Sequence, residues 1–373
     1  MNPLFGISKR KWLRFGLLSG LALSIFIFSF FPAQVERFYS TGIYPAIATT
    51  QRMIFRWIPF SMGDLIYIAV TIRLLVHLVK WIIRLIRKQF SREDLKQSVF
   101  RLTTDILWIY VVFKLVWGLN YNRLGIEYQL GITKANYSKE EVTALTNQLI
   151  DKVNECRRQI KDTALPQPVL DTIYREAFNA YQEASYQFDF IDYTNRSVKG
   201  SLFSSAGDYM GFTGYYNPFT GEAQLRTDIP HLLLPFIACH EMAHQLGYAS
   251  ESEANFVGYL AAAVSKNVYM RYSVYNDLFS YAQGEEIFLY GKANDFKAFE
   301  NVVQYNKTHL DSLVKKDRRE VREFFNKRKN RISPAISGLY DQYLKMNKQT
   351  KGIESYNEVI GWLISYQKKY GKL

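Results

Sequence analysis

The chain moves between two hydropathy regimes. Up to about residue 119, long apolar runs are separated by basic clusters; from Tyr121 onward, apolar positions recur at helical spacing among polar ones. Phe15–Phe31 is 17 residues without a charge and follows Lys9, Arg10, Lys11 and Arg14. That pattern predicts a transmembrane helix over about 15–33, entered from a positive, cytoplasmic side. A cleaved signal peptide is the alternative, but Phe30-Phe31-Pro32-Ala33-Gln34 makes a poor cleavage site. A second span is predicted over 65–83. Its Arg73, His77 and Lys80, with Arg84 and Arg87, fall on one helix face as a basic stripe, expected to snorkel towards headgroups. A third span is predicted over 102–119, with Asp105 placed to pair with that stripe.

The second regime reads as globular. Ser138-Lys139-Glu140-Glu141 is a capping box, opening a helix with Val142, Leu145, Leu149, Val153 and Cys156 on one side. A second helix is expected over about 169–186. Between 197 and 229 aromatic and β-branched residues alternate with Gly and Ser, Asn217–Gly221 forms a turn, and Glu222–Thr227 reads as a short strand. A small antiparallel sheet is expected there, with an edge strand able to hold an extended peptide. After Glu251 the chain is helical to its end, and the Lys/Arg/Glu-rich stretch 311–331 reads as a solvated helix face. The expected fold class is mainly α with a small antiparallel β-sheet, a zincin-like α+β domain (120–373) after an N-terminal transmembrane helix bundle (1–119).

Charge sharpens this division. The formal net charge is +13, but residues 1–119 carry 16 Lys/Arg against 5 Asp/Glu, a net of +11, while the rest is nearly balanced. A basic excess confined to the apolar third points to membrane lipid and away from nucleic acid. The tail 1–14 has four Lys/Arg and the loop 80–101 has seven, against three in 32–63. Both rich segments belong inside, so three spans would place everything after Asn120 outside the cytoplasm. The expected location is a bacterial inner membrane, multi-pass, with a periplasmic catalytic domain. Cys156 and Cys239 form no pattern.

The chemistry is concentrated in His240-Glu241-Met242-Ala243-His244. Residues four apart share a helix face, so both imidazoles can meet one ion, with Glu241 beside it as a proton acceptor. The flank is uncharged: Ile237, Ala238, Cys239, Met242, Ala243 and Leu246. Leu232–Cys239 is eight apolar residues interrupted by Pro235, too short to span a bilayer, which argues against an intramembrane protease. Gly247 suits the end of this helix. A catalytic zinc site usually takes three protein ligands. Ser250 occupies the position where a metzincin has its third His, which leaves Glu251 and Glu253. They lie about 200° apart on a helix, so both cannot face one ion. Ser250–Glu253 is itself a capping-box pattern, which favours Glu251 as ligand and keeps Glu253 as the alternative. Asn255, one turn on, is placed to accept an imidazole N–H. Tyr259, Tyr269, Tyr272 and His309 are candidates for stabilising an oxyanion.

At these residues the chain resembles the gluzincin-type zinc peptidases, whose third ligand is a Glu followed four positions on by an acidic or amide residue. Over nearly its whole length it is similar to a functionally uncharacterised bacterial family of membrane-anchored, zincin-like proteins. That similarity is carried by Trp117–Arg123, Tyr216–Ala223, His240–Phe256, Tyr340–Leu344 and Gly352–Tyr356. Asn255 departs from the Asp common in the wider clan. The resemblance implies a peptidase-like fold and zinc, and it does not supply a substrate; the residues themselves lead us to expect Zn2+ on His240, His244 and Glu251, Glu241 as catalytic base, and some peptide or protein substrate. A catalytically silent sensor or scaffold on the same fold is the alternative; the intact Glu241 argues against it, since a binding site needs no general base.

Overall fold

The computed structural model describes residues 7–373 apart from 88, 90, 135, 348 and 350–357. The stretch Gly352–Tyr356 therefore lies outside the described residues. The chain is mainly helical. It opens with α1 (Lys9–Phe28) and α2 (Pro32–Gln34), a π-helical stretch over Val35–Ile43, α3 (Tyr44–Phe55), α4 (Met62–Ile86) and α5 (Arg92–Val116). Then come α6 (Ile126–Leu130), α7 (Lys139–Gln159) and α8 (Leu170–Ser185). A small sheet follows: β1 (Val198–Gly200), α9 (Gly207–Met210), β2 (Gly214–Asn217) and β3 (Glu222–Leu225). The rest is helical: α10 (Leu234–Gln245), α11 (Glu251–Val264), α12 (Val268–Lys292), α13 (Phe296–His309), α14 (Ser312–Lys327), α15 (Ser333–Met346) and α16 (Val359–Tyr370).

Local signals place several of these ends. Ser138 accepts from the Glu141 N–H and Glu141 reaches back, so the expected capping box starts α7. Pro235 sits in the first turn of α10, where its missing N–H costs no bond. Gly247, at φ +87°, ends α10, and the Tyr248 N–H returns to the Ala243 carbonyl.

The sheet is mixed rather than antiparallel. Its order is β1-β3-β2, with β2 and β3 an antiparallel hairpin and β1 parallel to β3. The chain leaves β1, forms α9 and β2, and returns through the Asn217–Gly221 turn, which inserts β3 between its predecessors. Strand alternation does not encode that crossover.

Among the described residues two helices, α1 and α4, are long and apolar enough to cross a membrane. The expected third span is not among them: α5 starts at Arg92 and carries Glu93, Asp94, Lys96, Arg101, Asp105 and Lys114 along its length. Asp105 lies in a groove between α1 and α5 with Lys11 and Arg14, away from the stripe on α4. The side chains of Arg73, His77, Lys80 and Arg84 on α4, and of Arg87 at its end, are all exposed, as are the Leu and Val residues of α4 and each Ile but the half-buried Ile68.

The segment between these helices is not the simple connection that the sequence pattern implies. Glu36, Tyr44, Arg52, Ser61 and Asp64 are all buried. Glu36 accepts from Arg123 through both oxygens, at 2.7 and 3.0 Å, and from the Leu124 and Gly125 N–H groups. Asp64 accepts from Tyr215 Oη at 2.6 Å and the Leu202 N–H at 2.8 Å. Glu222 on β3 takes the Gly63 N–H at 2.7 Å, so a buried carboxylate sits at the positive end of α4. Residues 35–64 are thus built into the globular part, on the far side of the 119/120 boundary drawn from hydropathy.

Candidate metal centre

Helix α10 lies between the sheet and helices α8, α11 and α12. Its flank is buried: Ala238, Cys239, Met242 and Ala243 have no exposed surface. The chain folds back after Gly247 so that α11 crosses α10 closely. A Cβ on Gly258 would come within 3.1 Å of the His240 backbone nitrogen, so a small residue is required there.

This crossing brings His240, His244 and Glu251 together. One ligand atom from each lies within 4.8 Å of the others. Glu251 Oε2 is 3.1 Å from His240 Nε2 and 3.4 Å from His244 Nε2. The Nδ1 atoms point outward to acceptors, His240 to Asn255 Oδ1 and His244 to the Tyr248 carbonyl, each at 2.7 Å. A carbonyl can only accept, so Nδ1 carries the proton and Nε2 keeps its lone pair. Two imidazole lone pairs and a carboxylate oxygen with no aligned donor then converge on one point. Such a donor set repels itself unless a proton or a cation sits among it, and N,O donors held by outer partners fit zinc. The electrostatics say the same. Burial alone would lower the His244 pKa, but the Glu251 carboxylate outweighs it and lifts it to about 9. Burial alone would lift Glu251, but the imidazoles hold it well below the usual carboxylate range.

Glu241 sits beside this cluster and opens onto a cleft of about 1550 Å³ that His240 also lines. Burial lifts its carboxyl to about 7, against the pull of both imidazoles, and its Oε2 has no partner among the described residues. Strand β2 forms an edge of the sheet and passes directly over it: a Cβ on Gly214 would fall 2.7 Å from Glu241 Oε1. Thr213, Gly214 and Tyr215 line the same cleft, where an extended chain can lie along them.

Glu253 is elsewhere. The predicted capping box does not form: Ser250 makes no side-chain cap, and Glu253 accepts the Ile126 N–H at 2.8 Å. A long-range contact to the free N–H of α6 replaces the local one. Tyr259, Tyr269 and Tyr272 are core residues, with Tyr272 donating to Asp317, while His309 is exposed and stacks on Tyr305. None of these four lines the cleft. Tyr340 does, and it donates to Glu251 Oε1 at 2.9 Å. Tyr281 also lines it and hydrogen-bonds the Asn255 side chain. Neither had a local signal, since each reaches the centre from a different helix.

The carbonyl end of α10 is held from the N-terminal third. Trp117 Nε1 donates to the His244 carbonyl at 3.2 Å, and Tyr44 and Arg52 donate to that of Gln245 at 3.0 and 3.1 Å. The Arg52 guanidinium also meets the negative end of the helix dipole.

Residues 39–364 match the family described as "Protein of unknown function (DUF3810)". No curated protein and no solved structure matches the chain.

Proposed function

The chain belongs to that family, and from this premise we propose that it is a membrane-anchored zinc metallopeptidase with a zincin-like fold of the gluzincin type. The observation that carries the proposal is the convergence of two Nε2 lone pairs and the Glu251 carboxylate beside the open carboxylate of Glu241. His240, His244 and Glu251 would hold the ion. When bound, zinc supplies a Lewis acid that polarises a carbonyl and makes water nucleophilic near neutral pH. Asn255 and the Tyr248 carbonyl fix both imidazoles in the tautomer that presents Nε2. Tyr340 fixes the Glu251 carboxylate from its other oxygen. Strand β2 aligns an extended substrate, and Glu241 takes the proton of the attacking water and delivers it to the leaving nitrogen. The apolar helices anchor the protein, and the Lys/Arg distribution supports an extracytoplasmic, periplasmic site on a multi-pass chain.

The test uses the full-length protein. Glu241→Gln is close to isosteric and should retain one zinc per chain by elemental analysis, yet lose peptide hydrolysis by about 10²–10⁴-fold. A substrate should accumulate in the proteome of cells carrying it. His240→Ala, His244→Ala and Glu251→Ala should each lose most of the zinc. Zinc bound, with no proteomic change on Glu241→Gln, would make the protein a silent receptor or scaffold.

A further inference from the structure

The wall of the cleft facing the metal centre is basic. Lys307 on α13 and Lys315, Arg318, Arg319 and Arg322 on α14 all line it, while its carboxylates are Glu241 and Asp277. On α14 the four cations fall at i, i+3, i+4 and i+7, one face of the helix. The acids of α14 turn away: Asp317 is buried against Arg157 at 2.6 Å, and Glu320 pairs with Lys316. The helix therefore separates its charges, with the basic side towards the cleft.

Arg318 forms no salt bridge among the described residues, and Asp277 acts on it only at longer range. Its guanidinium donates to Asn276 Oδ1, Ser280 Oγ and Gln283 Oε1 at 2.8–3.1 Å and lies over the Phe279 ring. Neutral acceptors orient the group, and Asp277, beyond salt-bridge distance, offsets only part of the basic charge of this wall. Its position is tied to the metal centre through α12: Ser280 accepts from Arg318, and the next residue, Tyr281, bonds the Asn255 that orients His240. Between the cations the wall is apolar, with Val303, Leu310, Val321 and Phe325.

We propose that this cleft selects substrates in which a carboxylate lies among apolar residues within a few positions of the bond to be cut. The carboxylate can be an Asp or Glu side chain or the C-terminus of the substrate. This rests on the peptidase reading and adds its substrate class. Fixed guanidinium groups in a partly enclosed site favour a carboxylate over its neutral isostere and repel a cationic peptide.

The test measures binding and cleavage separately, on the full chain in phosphatidylcholine nanodiscs. The probes are a fluorescein-labelled peptide of alternating Leu and Glu, its Leu/Gln counterpart, and both with free or amidated C-termini. On Glu241→Gln protein the Glu peptide should bind at least about tenfold more tightly than the Gln peptide by anisotropy, and less tightly as salt is raised. Arg319 and Arg322 are exposed, so the Arg319→Glu/Arg322→Glu double variant should fold and should remove or reverse that preference. Loss on amidation alone assigns the selected group to the C-terminus; loss only on Glu-to-Gln exchange assigns it to a side chain. Equal binding of all peptides, or a preference untouched by the double variant, overturns the proposal. So does binding of phosphatidylglycerol vesicles with no binding of either peptide. If wild type cuts peptides without preference, the selectivity fails and the peptidase reading stands. If the preference holds and nothing is cut, the reverse is true.

Discussion

Residues 35–64 and the flanking helices α1 and α4 come from the same apolar, basic third of the chain, yet they treat their side chains in opposite ways. Helices α1 and α4 expose Leu17, Leu23, Ile72, Leu74 and Val79. The segment between them buries Glu36, Arg52, Ser61 and Asp64. Exposed apolar rows match an apolar surrounding, since none of the described residues covers them. Buried charges are tolerable only when they find partners, and Glu36 and Arg52 do so across gaps of 87 to 193 residues in sequence. The difference separates what inserts from what folds. Composition cannot make that separation, because it averages over both.

The contrast breaks hardest at Glu36. Glu36→Ala leaves the Arg123 guanidinium buried without its carboxylate, and the loss of unfolding free energy should be about 3–5 kcal/mol. Denaturant titration followed by tryptophan fluorescence in detergent measures it; a loss below about 1 kcal/mol would detach 35–64 from the globular unit. A smaller effect is expected at Glu253. Glu253→Ala strands the Ile126 N–H and should cost about 1–3 kcal/mol while zinc content stays unchanged. Loss of zinc in that variant would return Glu253 to the metal. The smallest effect belongs to the outward face of α4: Val76→Ala should change the same free energy by no more than about 0.5 kcal/mol. A larger cost would mean that α4 packs against protein rather than lipid.

The site was legible where its geometry is local. His240 and His244 four apart, Glu251 four before Asn255, and Gly247 ending the helix are all one-turn relations that a sequence displays directly. Long-range chemistry was not legible. Glu253 carries a local capping pattern, but the free N–H of Ile126 competes for its carboxylate and wins. Tyr340 and Arg318 reach the cleft from helices whose own periodicity says only that one face is polar, and the basic face of α14 looks solvated until α12 is placed beside it. The parallel pairing of β1 with β3 depends on a crossover that alternation does not record. Hydropathy likewise marked α1 and α4, whereas α5 carries charges along its first half and is apolar mainly in its second.

The junction at Ser61 sets a distance. Ser61 is fully buried, and Gly63 packs so closely on Asn217 that a Cβ would overlap it, so no slack exists between the globular fold and α4. A domain on a flexible leash sweeps a volume set by its linker; this one has no leash. Tyr67 lines the cleft, and from there to Ile86 the helix rises roughly 28 Å, close to the ~30 Å of a hydrocarbon core. With α4 inserted as a span, the cleft is held at headgroup height and cannot swing away. On the peptidase reading, bonds in chain segments that emerge beside the bilayer would then be within reach, and equally cleavable bonds in a domain standing clear of it would not.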